Sequence, residues 1–372
     1  MTDKKLIACL FVALTVRLAF VFFGFPYLQS RWNLREDGDN YGAIARTIHE
    51  GNYTDVTRGP VYPLCVAVAG APLTVKVAQA VLDTLTGALI FWLAGRNLWA
   101  AWLWALYPFA IWRVAFINKE TVLVFLLVSF VCFQTLAWDK GRVWQWLSAG
   151  VLLGLVNLCK PTFLLWPLVL LLMVERGRQF TRFCKYFVVA MVLVIAPWTW
   201  RNWRVTGGEF LPVATEQGGK TTFIGNYQPT DGLWEGEGKG RWLVAVDEIQ
   251  QRHAGASEVE LDRAFYRAAW AQVKADPIAA VKLAAKKCER FWFLSAAQRE
   301  QVSAAAIQGI FLALGALGLW RMWPLTRERR LLLALIAYVM IVHALSYADM
   351  RFSLIVMPFV CVFAAAVGGG EI

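Results

Sequence analysis

ETVLVFLLVSFVCFQTLAW, from Glu120 to Trp138, opens on one acid and then carries no charged side chain to its end. A helix needs about 20 apolar residues, with about 17–25 tolerated, to cross the hydrocarbon of a bilayer. This stretch meets that length, and it has company. Apolar runs of suitable or slightly short length lie near 6–25, 74–95, 98–116, 144–159, 161–175, 184–200, 303–320, 331–347 and 352–368. The sequence therefore predicts an all-α polytopic membrane protein of about ten spanning helices. Val61 to Ala71 is also apolar, but it is short and contains Pro63. It reads as an interfacial or re-entrant segment.

Composition agrees. The 372 residues are 58% hydrophobic and 17% charged, with a mean hydropathy of +0.49. Soluble chains sit nearer a quarter charged and could not hide so much apolar surface. Nineteen Trp, 24 Phe and 10 Tyr suit a chain with two membrane–water interfaces. A net charge of +11 in a soluble protein would raise the question of nucleic acid. Here the basic residues fall mostly in short loops between apolar runs, so topology explains them and no nucleic-acid partner is expected.

Orientation follows from those loops. With the N-terminus in the cytoplasm, one side collects thirteen Lys and Arg, from Lys4 and Lys5 through Arg96, Lys140, Arg176 and Arg182 to Arg327–Arg330, against five Asp and Glu. Two regions then face the opposite side: residues 26–72, and an insert of about 201–302. The expected organisation is a transmembrane core over 1–200, an extracytoplasmic mixed loop domain over 201–302, and C-terminal transmembrane helices over 303–372. Lys4-Lys5 and the apolar run to Phe25 resemble a signal peptide, but the run is too long and no small-residue cleavage site follows. It reads as a retained first span. The seven cysteines are odd in number, scattered, and form no CxxC pair, so neither a disulfide framework nor a zinc site is expected.

Within the insert, Ser257 and Glu260 form a capping box opening a helix to about Lys274. Asp276-Pro277 starts a second helix, which ends in the aromatic run Phe291-Trp292-Phe293. The Gly-rich stretch around Gly225 to Gly240 is a candidate mobile lid.

The first external loop holds Asp37 and Asp39, one residue apart, ahead of an amphipathic helix from about Asn40 to His49. Such carboxylates suit a divalent cation (Mg, Mn or Zn), or a general base tuned by its neighbour. Acidic caps at a helix N-terminus account for them equally well. Glu120 begins an apolar span, where an acid is costly and commonly marks a site; a local pair with Lys119 or Arg113 is the plainer account. Arg58, Lys160, Arg201 and Arg351 lie at external span ends, the side that basic residues should avoid. Each alone reads as snorkelling to head groups; together they suit a phosphate. His343 suits phosphate or an interhelical hydrogen bond. Arg17 and Asp83, inside the first and second spans, read as a buried pair holding the fold, and His49 and His253 as surface residues.

An acidic pair before Tyr41, an amphipathic helix, and then Arg58-Gly59-Pro60-Val61-Tyr62-Pro63 resembles the first extracytoplasmic loop of the GT-C glycosyltransferases. The similarity is to the bacterial branch of protein O-mannosyltransferase-like and aminoarabinose transferase-like enzymes. Lys119-Glu120, Lys160-Pro161, Pro197-Trp198 with Arg201-Asn202, and His343 with Ala348-Asp349-Met350-Arg351-Phe352 follow in order, so the resemblance runs over nearly the whole chain. It implies a GT-C-like bundle in a bacterial inner membrane, multi-pass, with its active site on the periplasmic face. The implied activity is transfer of a sugar, with inversion, from a polyprenyl-phosphate donor to a lipid, glycan or protein acceptor, among membrane lipids. It also implies Asp37 as the base, with Asp39 as the alternative or a metal ligand beside it, and Arg58, Lys160, Arg201, His343 and Arg351 at the donor phosphate. A transporter or flippase of lipid-linked sugars, and a non-catalytic assembly subunit of the same fold, are the competing readings.

Overall fold

The computed structural model describes residues 2–229, 232, 239–294 and 301–368. Among the described residues every regular element is a helix. The chain opens with α1 (Thr2–Ala19), which runs through a π-helical turn (Phe20–Gly24) into α2 (Phe25–Trp32). The external loop then contributes α3 (Tyr41–His49) and α4 (Val61–Ala69). After these come α5 (Pro72–Leu93), α6 (Leu98–Ala105), α7 (Pro108–Arg113), α8 (Glu120–Lys140), α9 (Val143–Cys159) and α10 (Trp166–Met173). A second π-helical turn (Phe183–Val188) joins α11 (Arg178–Arg182) to α12 (Val189–Val205).

Helix α8 is the hub. It is apolar all round, so it has no face fit for water and is buried over 78% of its most apolar window. It packs on α5 and α9. The first span and the α11–α12 rod are buried over only 22% of theirs, leaving long apolar faces outward, as a lipid-facing helix requires. Arg17 is fully buried in α1, with its Nε on Asp83 of α5 and its Nη donors on the carbonyls of Ala13, Trp104 and Ala105. The predicted pair thus ties three helices together.

Five helical segments are long and apolar enough to cross a membrane: Asp3–Trp32, Pro72–Leu93, Glu120–Lys140, Arg178–Val205 and Val302–Arg321. This corrects the count of ten. The runs at 144–159, 161–175 and 352–368 form shorter apolar helices, Val143–Cys159, Pro161–Met173 and Met357–Gly368. The run at 98–116 is broken where Pro108, lacking an N–H, starts a new helix. The run at 331–347 belongs to α18 (Arg327–Leu345), whose first turn is charged, following α13 to α17 described next.

The 201–302 insert is helical and holds no strand among its described residues, which corrects the mixed domain. It contains α13 (Gly218–Asn226), α14 (Lys239–Arg252), α15 (Glu258–Ala275) and α16 (Pro277–Phe293), then leads to α17 (Gln301–Arg321). The Ser257–Glu260 box and the Asp276 N-cap form as predicted. Phe223, Ile224, Trp242, Val246, Phe265 and Ala269 make a small core of its own. Of the predicted lid, Gly225 lies in α13 with its backbone against Ser346. Most of the stretch from 230 to 238 lies outside the described residues.

The chain closes with a 3₁₀ stretch (Met350–Ile355), α19 (Met357–Ala364) and a last 3₁₀ turn (Ala365–Gly368). Polar contacts at helix ends sort into two sets. One joins Arg96 to Asp3, Arg327 to Glu175 and Arg321 to the carbonyl of Val367. The other joins Glu36 to Lys76, Asp39 to Arg58, Thr57 to Glu216, Lys287 to Ser346 and Leu294 to Met350. Helix α5, 22 residues or about 33 Å long, separates Lys76 from Arg96.

Candidate active site

The second set of ends gathers most of the predicted residues. Helix α3 starts where it does because Asp37 accepts from the backbone N–H of Tyr41 through Oδ1 (2.8 Å) and of Gly42 through Oδ2 (2.7 Å). Both carboxylate oxygens are therefore engaged on the helix end. Asp39, on the turn before α3, faces Arg58 at 3.5 Å. Arg58 approaches Glu216 at 3.8 Å, and Glu216 pairs with Lys119 and accepts from the Gly59 N–H. Gly59 is required: a Cβ there would fall 2.2 Å from the carbonyl oxygen of Leu158. That close approach seats the Arg58 loop against the end of α9, where Lys160 begins.

Around the corner, Phe352 forms a platform. His343 stacks on it at 4.3 Å and 11°, Lys160 Nζ lies 4.2 Å from its centroid, and the Arg351 guanidinium carbon lies 4.8 Å away. His343 donates from Nδ1 to the carbonyl of Tyr347 (3.0 Å), which leaves Nε2 as a buried acceptor without a partner. Glu120 is 7% exposed, and its Oε2 is likewise unpartnered, with the charges of Arg113, Arg351, Lys160 and Lys119 nearby. Arg113 and Arg351 both line a narrow hollow walled by Tyr107, Phe109, Trp112 and Leu354.

The electrostatics are those of a basin in which cations and carboxylates alternate. Burial, then the neighbouring Lys119, pushes Lys160 down to about 7. Burial also pulls on Arg58 and Arg351, but nearby carboxylates outweigh it and both rise: Glu216 and Asp39 at Arg58, Glu120, Asp349 and Asp39 at Arg351. Asp39 thus sits within the field of both arginines.

Arg201 is not part of this group. Its guanidinium donates to the carbonyls of Tyr53 and Asp55 and to Asn202 Oδ1, and it packs against the rings of Tyr53 and Trp198, which also touch each other. The two bonds to Tyr53 and Asp55 hold the first loop to α12. The predicted metal site does not fit either. Asp37 has both oxygens on backbone N–H groups, Asp39 faces a cation, and no group of three or more His, Cys, Asp and Glu suited to a metal occurs among the described residues.

Sequence reasoning missed Glu216, Arg113 as a lining residue, and the Phe352 platform. Glu216 sits at a turn with φ 52° in an insert with no motif around it, and no local pattern marks it. No protein-family model matches the chain, and no curated protein sequence matches it.

Proposed function

We propose that this chain is an inverting glycosyltransferase that moves a sugar from a polyprenyl-phosphate donor to an extracytoplasmic lipid, glycan or protein acceptor. The observation that carries the reading is the convergence of Arg58, Lys119, Lys160 and Arg351 on one end of the bundle, with Asp39 facing Arg58 and within the field of Arg351. In the proposed reaction an acceptor hydroxyl attacks the anomeric carbon as the carbon–oxygen bond to the lipid phosphate breaks. The hydroxyl proton passes to a carboxylate, and the leaving phosphate keeps the electron pair. Charge grows on that phosphate through the transition state, so preorganised cations lower the barrier. Asp39 is the base in this reading, because its carboxylate faces the cations while both Asp37 oxygens hold α3.

The alternation of contacts supports a multi-pass topology with this site outside. Going along the chain, residues 3, 96, 141, 175–182, 321–327 and 367 fall in one set of end contacts. Residues 36–76, 117–119, 160, 201–294 and 346–351 fall with the other. In this proposal the short helices complete the passage between the sets, the N-terminus is cytoplasmic, and the membrane is a bacterial inner membrane.

Purified Asp39→Asn protein should lose about 10²–10⁴-fold in transfer rate while still binding polyprenyl phosphate. Asp37→Asn should lose about 1 kcal/mol of stability, the value of a helix cap, with transfer largely kept. Full transfer by both variants would falsify the reading. Translocation of a lipid-linked sugar across vesicles without glycosidic transfer would favour a flippase.

A further inference from the structure

Helix α15 carries a second feature that the donor site does not use. Arg263, Tyr266, Arg267, Trp270 and Lys274 follow one another at spacings of three or four residues, so they share a single face within an arc of about 100°. All five are exposed, Trp270 by 59%. The opposite face, with Ala264, Phe265 and Ala269, is buried, and Phe265 and Ala269 belong to the core of the insert.

We propose that this face binds an anionic oligosaccharide, which in the proposed reaction is the acceptor; that last clause alone rests on the transferase reading. Aromatic rings lying flat take the C–H faces of sugar rings, and cations beside them take carboxylate or phosphate substituents. The Lys274 ammonium lies 5.5 Å from the Trp270 centroid, so ring and charge are presented together. The Tyr266 hydroxyl is held in close approach to Gly218. Arg267 makes no hydrogen bond or ion pair among the described residues. It edges a groove of about 630 Å³ with His253, Ala256, Glu260, Arg263 and Tyr266, a size suited to a ligand of a few sugar units. Glu260 is already committed to the Ser257 capping box.

Position agrees with chemistry. The start of α15 lies toward the Arg58 rim: Glu258 is within the field of Asp55 and Arg58, and Asp262, one turn on, accepts from the Gly219 N–H of α13 at 2.7 Å. The stripe therefore leads away from the rim. A lipid surface is the weaker occupant, because an interfacial helix inserts its apolar face. Here that face is spent on protein, and the exposed arc contains no aliphatic side chain larger than alanine.

The test is calorimetric titration of the full chain in detergent, without donor, using hexagalacturonate as the probe and neutral maltohexaose as control. Wild type should bind the carboxylated hexamer and not the neutral one. Arg267→Glu and Trp270→Ala should each weaken binding about tenfold, while Lys282→Glu on α16 leaves it unchanged. Unaltered binding in both stripe variants, or no binding by wild type, overturns the inference. So does a dye on Trp270→Cys that enters a dry environment in phosphatidylglycerol nanodiscs but not in detergent. Because the titration contains no donor, it reads binding independently of transfer: absence of transfer in a separate assay with donor would sink the transferase reading and leave this surface standing.

Discussion

Lys160 shows how one residue links burial to function. Pushed down to about 7 by burial and by Lys119, it is half-charged near neutrality in the free protein. A bound phosphate favours the ammonium, so phosphate binding takes up a proton. Through Lys160, affinity for polyprenyl phosphate therefore falls toward about tenfold per unit above pH 7, until the pKa of the occupied site is reached. Lys160→Arg should flatten that dependence between about pH 7 and 9, as an arginine keeps its charge there. Binding isotherms across that range check it, and a flat wild-type profile removes Lys160 from the phosphate. The Arg17–Asp83 pair belongs to the same scale. Asp83→Ala leaves a buried guanidinium uncompensated and should cost about 3–5 kcal/mol, read as thermal unfolding in detergent, whereas an apolar replacement of both partners should cost far less. Asp37 and Asp39 show what residue patterns leave open. Their spacing announces an acidic turn before a helix, but which carboxylate caps and which faces outward depends on the αL turn at Asn40, which spacing alone does not encode.

Elements were legible where local chemistry decides them. The Ser257–Glu260 box and Asp276-Pro277 fix helix starts within a few residues, and hydrophobic length fixes α5 and α8. Length failed for α6 and α7, because Pro108 splits an apolar run that hydropathy alone reads as one span. Helix contacts follow a rule of small residues in membranes. On α9, a Cβ at Gly150 would lie 2.2 Å from the carbonyl oxygen of Phe187, so the two backbones touch and neither can yield as a side chain would. Gly150→Ala should therefore lower stability by about 1–3 kcal/mol. Gly240→Ala, in α14 with nothing within 4 Å of the new carbon, should be neutral or stabilising by up to about 1 kcal/mol. Equal unfolding temperatures for the two variants would show that α9 and the π-helical turn are not in close packing.

For the whole molecule, charge distribution and helix length give different answers about crossing. If only the five long apolar segments cross, four of them precede Lys282, and Lys4 and Lys282 share a side while Arg178 lies opposite. If the short helices complete the passage, as the alternating end contacts suggest, seven crossings precede Lys282. Lys4 then shares its side with Arg178 and faces away from Lys282. In that proposal two of the short helices stop at residues of the basin: α9 ends at Lys160, and α19 follows the 3₁₀ stretch that carries Arg351. Lys4, Arg178 and Lys282 are all exposed, and single Lys4→Cys, Arg178→Cys and Lys282→Cys variants in a cysteine-free background resolve the question. In sealed cells an impermeant maleimide should label only the Lys282 variant, and the other two should react after permeabilisation. Labelling of the Lys4 and Lys282 variants from the same side would put the basin on a different face from the proposed extracytoplasmic one, and the periplasmic transferase reading would fall with it.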